Sequence, residues 1–300
     1  MTPGWLDEID PATSPPFGRM GTRALGPDGP WLLAGDDVPA QLAERHRLLA
    51  HHHPDVVAAL PDTEEASTEL LILIRRHPDV RRQQDTSTAP ARDADVALPT
   101  PAILPTAAAP PDRHPIDAAG RLVAEDLCLL VPDDDGRWVL AAGSVCFPSH
   151  WRLPDKLGLP LAAVHGPVPD YATDLADRVD RFLDRLRPGR GVWRRNWTVH
   201  ASPDLFAPAP PPPPDPPITA TDAGHRLWLR SERQTLTRLP QTGTIVFTIR
   251  TQQTPLASVA THPTLRPRLA AAVAAWPPHH VAYRGGDPVH RALLAWLSIG

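Results

Sequence analysis

Alternation of apolar and polar positions gives this chain its strongest signals. EDLCLLVP and RWVLAAGSVCF, rich in Leu and Val, flank the turn-forming DDDG over residues 125–147, which predicts a β-hairpin. In VWRRNWTVH (192–200), alternation puts Trp193, Arg195, Trp197 and Val199 on one face and Arg194, Asn196, Thr198 and His200 on the other. LWLRSERQTLTRL (227–239) sorts Trp228, Arg230, Glu232, Gln234 and Leu236 against Leu227, Leu229, Ser231, Arg233 and Thr235. TIVFTIRTQ (244–252) sorts Ile245, Phe247 and Ile249 against Val246, Thr248 and Arg250. Elsewhere the period is helical. One helix is expected over about 38–60, through Leu42, His46, Leu49 and Val56. A second covers 64–76, with Asp62 or Thr63 as its cap. DYATDLADRVDRFLDRL reads as one long amphipathic helix capped by Asp170, with Tyr171, Leu175, Val179, Phe182, Leu183 and Leu186 on its apolar face. Two more close the chain, around 264–275 and 288–297.

These elements divide the chain. Residues 1–76 form an irregular segment and helices that pack on the core, and 77–119, rich in Ala, Pro, Asp and Thr, reads as a flexible linker. Residues 120–260 form the main domain, with an extended polyproline loop at 207–217, and 261–300 hold the C-terminal helices. The fold class is α+β. Strand, strand, short helices, long helix and three strands suit a five-stranded antiparallel sheet with helices on one face, plus N-terminal and C-terminal helices. PAS domains share this element order, and they often hold a flat cofactor between sheet and helices.

Composition narrows the partners. A formal charge of −4 and a pI of about 6.4 argue against nucleic acid, whose phosphates need a basic face. MTPGWLDEID lacks the basic and apolar regions of a leader, and no apolar run reaches the roughly 18 residues of a membrane span. The expectation is a soluble, cytoplasmic protein with no membrane contact. Of the two cysteines, Cys128 should sit opposite about residue 141 in the hairpin and not opposite Cys146, so no disulfide is expected.

Candidate chemistry centres on His165 in AAVHGPVPDY. Pro167 and Pro169 stiffen the segment, and a metal or haem iron prefers a ligand already ordered in this way. A histidine bonded to backbone in a tight turn is the plain alternative. Arginines among apolar strand residues could pair with cofactor carboxylates, and Glu232 could hold an amine cation. A solvated face crossed by cross-strand ion pairs is the alternative there. His51, His52 and His53 read as a solvated helix end, while His262, His279, His280 and His290 show no ligand spacing.

The segments EDLCLL, AGSVCFPSHWRLPDKLG, VHGPVPDY followed by RVDRFLDRL, RRNWTVH, and ERQTLTRLPQTGTIVFTIRT occur in this order across about 121–256. Together they resemble the haem-dependent oxidative N-demethylase α-subunit-like proteins. That resemblance implies a PAS-like fold holding b-type haem, with His165 as the proximal iron ligand. It implies oxidative N-demethylation of a small secondary amine such as dimethylamine with O₂, giving formaldehyde and a primary amine. NADPH electrons would arrive through a separate reductase subunit carrying FMN and a 2Fe–2S cluster, and a tetrahydrofolate-binding subunit could take the one-carbon product. Within this frame Glu232 is the catalytic candidate that steadies the ammonium, and Arg194, Arg233, Arg250 and Asn196 are cofactor-binding candidates. Two cysteines cannot supply the four thiolates of a cluster, so the donor must be another polypeptide. One departure stands out: Thr251-Gln252 replaces the family's common Thr-Tyr, which is expected to alter the pocket. The competing expectations are a non-catalytic haem-PAS binding or gas-sensing protein and a cofactor-free scaffold.

Overall fold

Each strand expected from alternation forms, and strand register decides which side chains share a face. The computed structural model describes residues 3–13, 20–26, 29–87 and 113–298. The N-terminal part passes through β1 (Arg23–Ala24), α1 (Val38–His51), α2 (His53–Val56), β2 (Val57–Ala59), α3 (Glu64–Arg76) and α4 (Pro78–Ser87). After α5 (Pro115–Gly120) comes the hairpin of β3 (Asp126–Pro132) and β4 (Trp138–Ser144). Next are α6 (Leu161–Val164), α7 (Tyr171–Asp174), α8 (Ala176–Arg185), β5 (Val192–His200), α9 (Ala223–Arg226), β6 (Trp228–Arg238) and β7 (Ile245–Pro255). α10 (Leu265–Ala274), α11 (Pro278–Tyr283) and α12 (Gly286–Ser298) complete the chain's described helices.

The described strands form one antiparallel sheet in the order β1-β5-β6-β7-β3-β4-β2. The α+β class holds, but the sheet has seven strands where five were expected. The two extra strands are short edges. The spacing predicts a single helix over 38–60, but Pro54 interrupts it and Val57–Ala59 pair with β4 as β2. At the ends of the expected 77–119 linker the chain is helical, in α4 and α5, and Ile116 and Ala119 of α5 are fully buried. The middle of that stretch, 88–112, lies outside the described residues. The long helix expected at 170–186 is broken at Leu175 into α7 and α8.

Antiparallel partners point to the same side of a sheet. On the near face, Leu236, Phe247 and Cys128 line up across three strands and pack, with Leu130, Leu140 and Ile245, against Leu161, Leu183 and Leu186 of the α6–α8 segment. On the far face, Leu127, Leu129 and Val246 pack against Leu70, Ile74, Ile116 and Ala119 of α3 and α5. Trp197 and Leu229 of the same face meet the C-terminal helices through Leu265, Leu269, Val273 and Leu293. Helices therefore cover both faces, which corrects the expectation of one. The reason is compositional: the strands carry apolar residues on both alternating sets, and each set needs cover.

Buried polar ties fix the ends of the sheet. Arg45 of α1 donates to Asp126 Oδ1 at 2.6 Å, and both side chains are essentially inaccessible. Asp126 also accepts the amides of Cys146 and Phe147 at 2.7 and 3.0 Å. Removing one member leaves a buried charge uncompensated, so Asp126→Ala is expected to destabilise the fold by about 3–5 kcal/mol. Urea unfolding checks this; an unchanged midpoint contradicts it. Cys128 pairs with Gly143 and not with residue 141 as expected, in part because the ladder shifts by one residue between Leu129 and Leu130; both cysteines are buried and free.

His200 adds a pH dependence. It is 5% exposed, its Nε2 lies 3.0 Å from Ser149 Oγ, and its ring stacks on His150 at 4.7 Å. Burial, with Arg230 and His150 nearby, pushes its pKa from 6.5 down to about 3. Between those values the unfolded chain binds the extra proton, so this contribution is complete above pH 6.5 and is lost as pH falls toward 3. The expected slope from this group is about 1.4 kcal/mol per pH unit. Urea midpoints at pH 7, 5.5 and 4.5 measure it; His200→Gln should flatten the profile, and an identical profile in that variant contradicts the assignment.

Candidate functional site

Local backbone bonding explains how His165 is held. Pro160 starts the single turn of α6, and His165 caps its end. The Leu161 carbonyl accepts the His165 amide at 3.0 Å and also faces His165 Nδ1 at 2.9 Å. A carbonyl only accepts, so Nδ1 must carry the proton, and in a neutral ring Nε2 then carries the lone pair. The Val168 amide closes the next turn onto the His165 carbonyl at 2.8 Å. The imidazole stacks on the buried Tyr171 ring at 4.2 Å and 14°. Burial lowers the His165 pKa and outweighs the Leu161 bond; the charges of Lys156 and Arg194 act in the same direction as burial. The ring is therefore neutral at pH 7, with one nitrogen free to ligate.

Arg194, on the near face of β5, comes next. Its Nε is buried and has no hydrogen-bond partner among the described residues. Burial pulls its pKa down, opposed by Glu232 and Tyr171. Glu232 stands directly opposite Asn196, which donates Nδ2 to Glu232 Oε2 at 3.0 Å and accepts the Glu232 amide on Oδ1 at 3.1 Å. Gln234 donates to the same carboxylate oxygen at 2.9 Å. On the other side of Glu232 stands Thr251, whose buried hydroxyl has no partner among the described residues. Asn196, Glu232 and Thr251 thus form a polar row across three strands, adjoining the apolar patch covered by α6–α8. At the end of α11, Arg284 donates to Thr198 Oγ1 at 3.4 Å and lies 4.7 Å from the Trp276 ring centre. Tyr283, 47% exposed, feels the Glu232 charge.

The structure therefore brings Arg194, Asn196 and Glu232 together on the near face, with His165 close enough for the Arg194 charge to act on it. It separates Arg233 and Arg250, which face the other way. Arg195, Arg233 and Arg250 are direct cross-strand partners on the far face. Arg250 is bound there by Asp37 and Gln41, and Arg233 lies over Trp193 with its guanidinium carbon 4.7 Å from the ring centre. The period of two forbids either from sharing a site with Glu232. Gln252 also lies on the far face, where it accepts from Arg195 at 3.0 Å, so the Thr-Gln departure points away from the near-face cluster.

Haem needs a neutral imidazole with a free nitrogen and a partner for its carboxylates. His165 offers the first, and Arg194, whose buried Nε has no hydrogen-bond partner among the described residues, offers the second. Thr251 and Gln234 join this cluster although neither is a candidate from the sequence: alternation alone puts Gln234 on the face of Glu232, whereas Thr251 comes beside it only through strand register. Among the described residues, no helix is long and apolar enough to cross a membrane. The model of the family "haem-dependent oxidative N-demethylase, alpha subunit-like" matches residues 26–294, nearly the whole chain, and the chain belongs to that family.

Proposed function

We propose that this chain is the haem-binding, amine-oxidising subunit of an oxidative N-demethylase acting on a small secondary amine of the dimethylamine kind. The observation that carries this reading is a His165 whose proton is fixed on Nδ1 and whose charge neighbour, Arg194, shares a sheet face with the hydrogen-bonded Asn196 and Glu232. His165 would hold the iron through Nε2, and Arg194 would take a haem carboxylate. When bound, haem supplies O₂ activation for the net reaction (CH₃)₂NH + O₂ + 2e⁻ + 2H⁺ → CH₃NH₂ + HCHO + H₂O. Glu232 accepts hydrogen bonds from the ammonium and orients its methyl groups. Asn196 and Gln234 occupy only Oε2, and Oε1 takes no hydrogen bond among the described residues. Asn196 is a positioning residue, because its amide is spent on holding Glu232.

The electrons come from a separate NADPH-linked subunit with FMN and a 2Fe–2S cluster, in the cytoplasm, and a tetrahydrofolate-binding subunit would receive the formaldehyde. Both thiols of this chain are buried and pushed up in pKa by that burial, Cys146 to about 12, so neither suits a cluster. A PAS-like reading of the central strands belongs to the same proposal, supported by the order β5-β6-β7-β3-β4 with α6–α8 across one face.

The test is absorption of haem-loaded protein with and without dimethylamine, followed by formaldehyde assay after reduction in air. An amine-dependent spectral change with formaldehyde and methylamine in equal amounts is expected. A haem spectrum indifferent to the amine, with no formaldehyde, overturns the enzyme reading in favour of a gas-sensing one.

A further inference from the structure

Asp170, His279 and His280 each offer one ligand atom, and these atoms lie within 4.8 Å of one another. His279 Nε2 and His280 Nε2 stand 3.0 and 2.9 Å from the same oxygen, Asp170 Oδ2. Consecutive helical side chains normally diverge, but at the start of α11 these two rings sit 4.6 Å apart, tilted by 45°, and converge on the carboxylate. Asp170 is committed to this arrangement. Its backbone takes the left-handed conformation (φ 64°), and its side chain makes no cap bond to α7. His280 is completely buried, and its Nδ1 has no partner among the described residues. Hydrogen bonding alone leaves two N–H donors crowded on one oxygen, while Oδ1 accepts nothing among the described residues.

We propose that Asp170, His279 and His280 form a site for a divalent transition-metal ion of the zinc class, and that the ion clamps the turn after His165 onto α11. Two imidazoles and a carboxylate suit zinc-like ions and not calcium or magnesium, which take mostly oxygen ligands. Bonds of about 2.0–2.2 Å around a tetrahedral ion set ligand atoms about 3.3 Å apart. The two O–N separations here are a few tenths of an ångström shorter, and the half-exposed His279 can swing to open them. Three protein ligands leave a fourth position for water. The clamp ties Asp170 to His280, and it would hold the stiffened 165–170 segment against α11, which ends at Tyr283 and Arg284. It does not depend on the proposed amine chemistry.

Dialysis of the full chain against Zn²⁺, with metal analysis and isothermal titration, tests this. One equivalent should bind and raise the thermal midpoint. Asp170→Asn and His279→Ala, both at solvent-accessible positions, should each weaken binding by about a hundredfold or more and abolish the midpoint shift. His165→Ala should leave zinc binding intact, which separates this site from the proposed iron ligand. Absence of stoichiometric zinc, or zinc binding unaltered in both Asp170→Asn and His279→Ala, overturns the proposal.

Discussion

His165→Ala should give a folded protein that stays colourless when produced with a haem precursor. The side chain is half-buried and stacks on Tyr171, so its loss costs little packing while removing the one nitrogen that the Leu161 bond leaves free. If His165 is the iron ligand proposed above, its loss should weaken haem binding on the order of a hundredfold or more. Added imidazole should restore part of the Soret band, because the cavity left by the side chain can admit the free ring. Far-UV circular dichroism should match the parent. A full Soret band in His165→Ala, without imidazole, contradicts the assignment.

Glu232→Gln should carry the second large effect. A charge-assisted hydrogen bond contributes about 1.5–3 kcal/mol, so replacing the carboxylate should weaken amine binding by about ten- to a hundredfold. Asn196 and Gln234 would then face an amide that offers one acceptor in place of two, and the register of β5 with β6 need not change. Haem content should be unaffected. Spectral titration with dimethylamine separates the outcomes: reduced affinity with full haem occupancy supports the role, whereas unaltered affinity removes it.

What could be read in advance follows from the range of the interactions. β5, β6 and β7 were legible because alternation is set by the backbone one residue at a time. The same alternation already separated Arg194 from Arg195 and Glu232 from Arg233, but not which set meets the helices over the near face. That depends on register between strands far apart in sequence. The break at Leu175 was hidden because the apolar spacing from Tyr171 to Leu186 continues through it. Asp170, read as a helix cap, turns instead to His279 and His280, which are over a hundred residues away and carry no local spacing that would announce them. Likewise, α5 lay in a stretch whose small residues suggested a linker; Ala118 and Ala119 are small because the helix sits close to the sheet.

A crystal structure of the chain reconstituted with haem addresses the central claim most directly. The account predicts iron bonded to His165 Nε2, one face of the macrocycle toward Glu232 and Asn196, and a haem carboxylate on Arg194. Iron held by another residue, such as His150 or His200, or a macrocycle lying away from the near face, would contradict it.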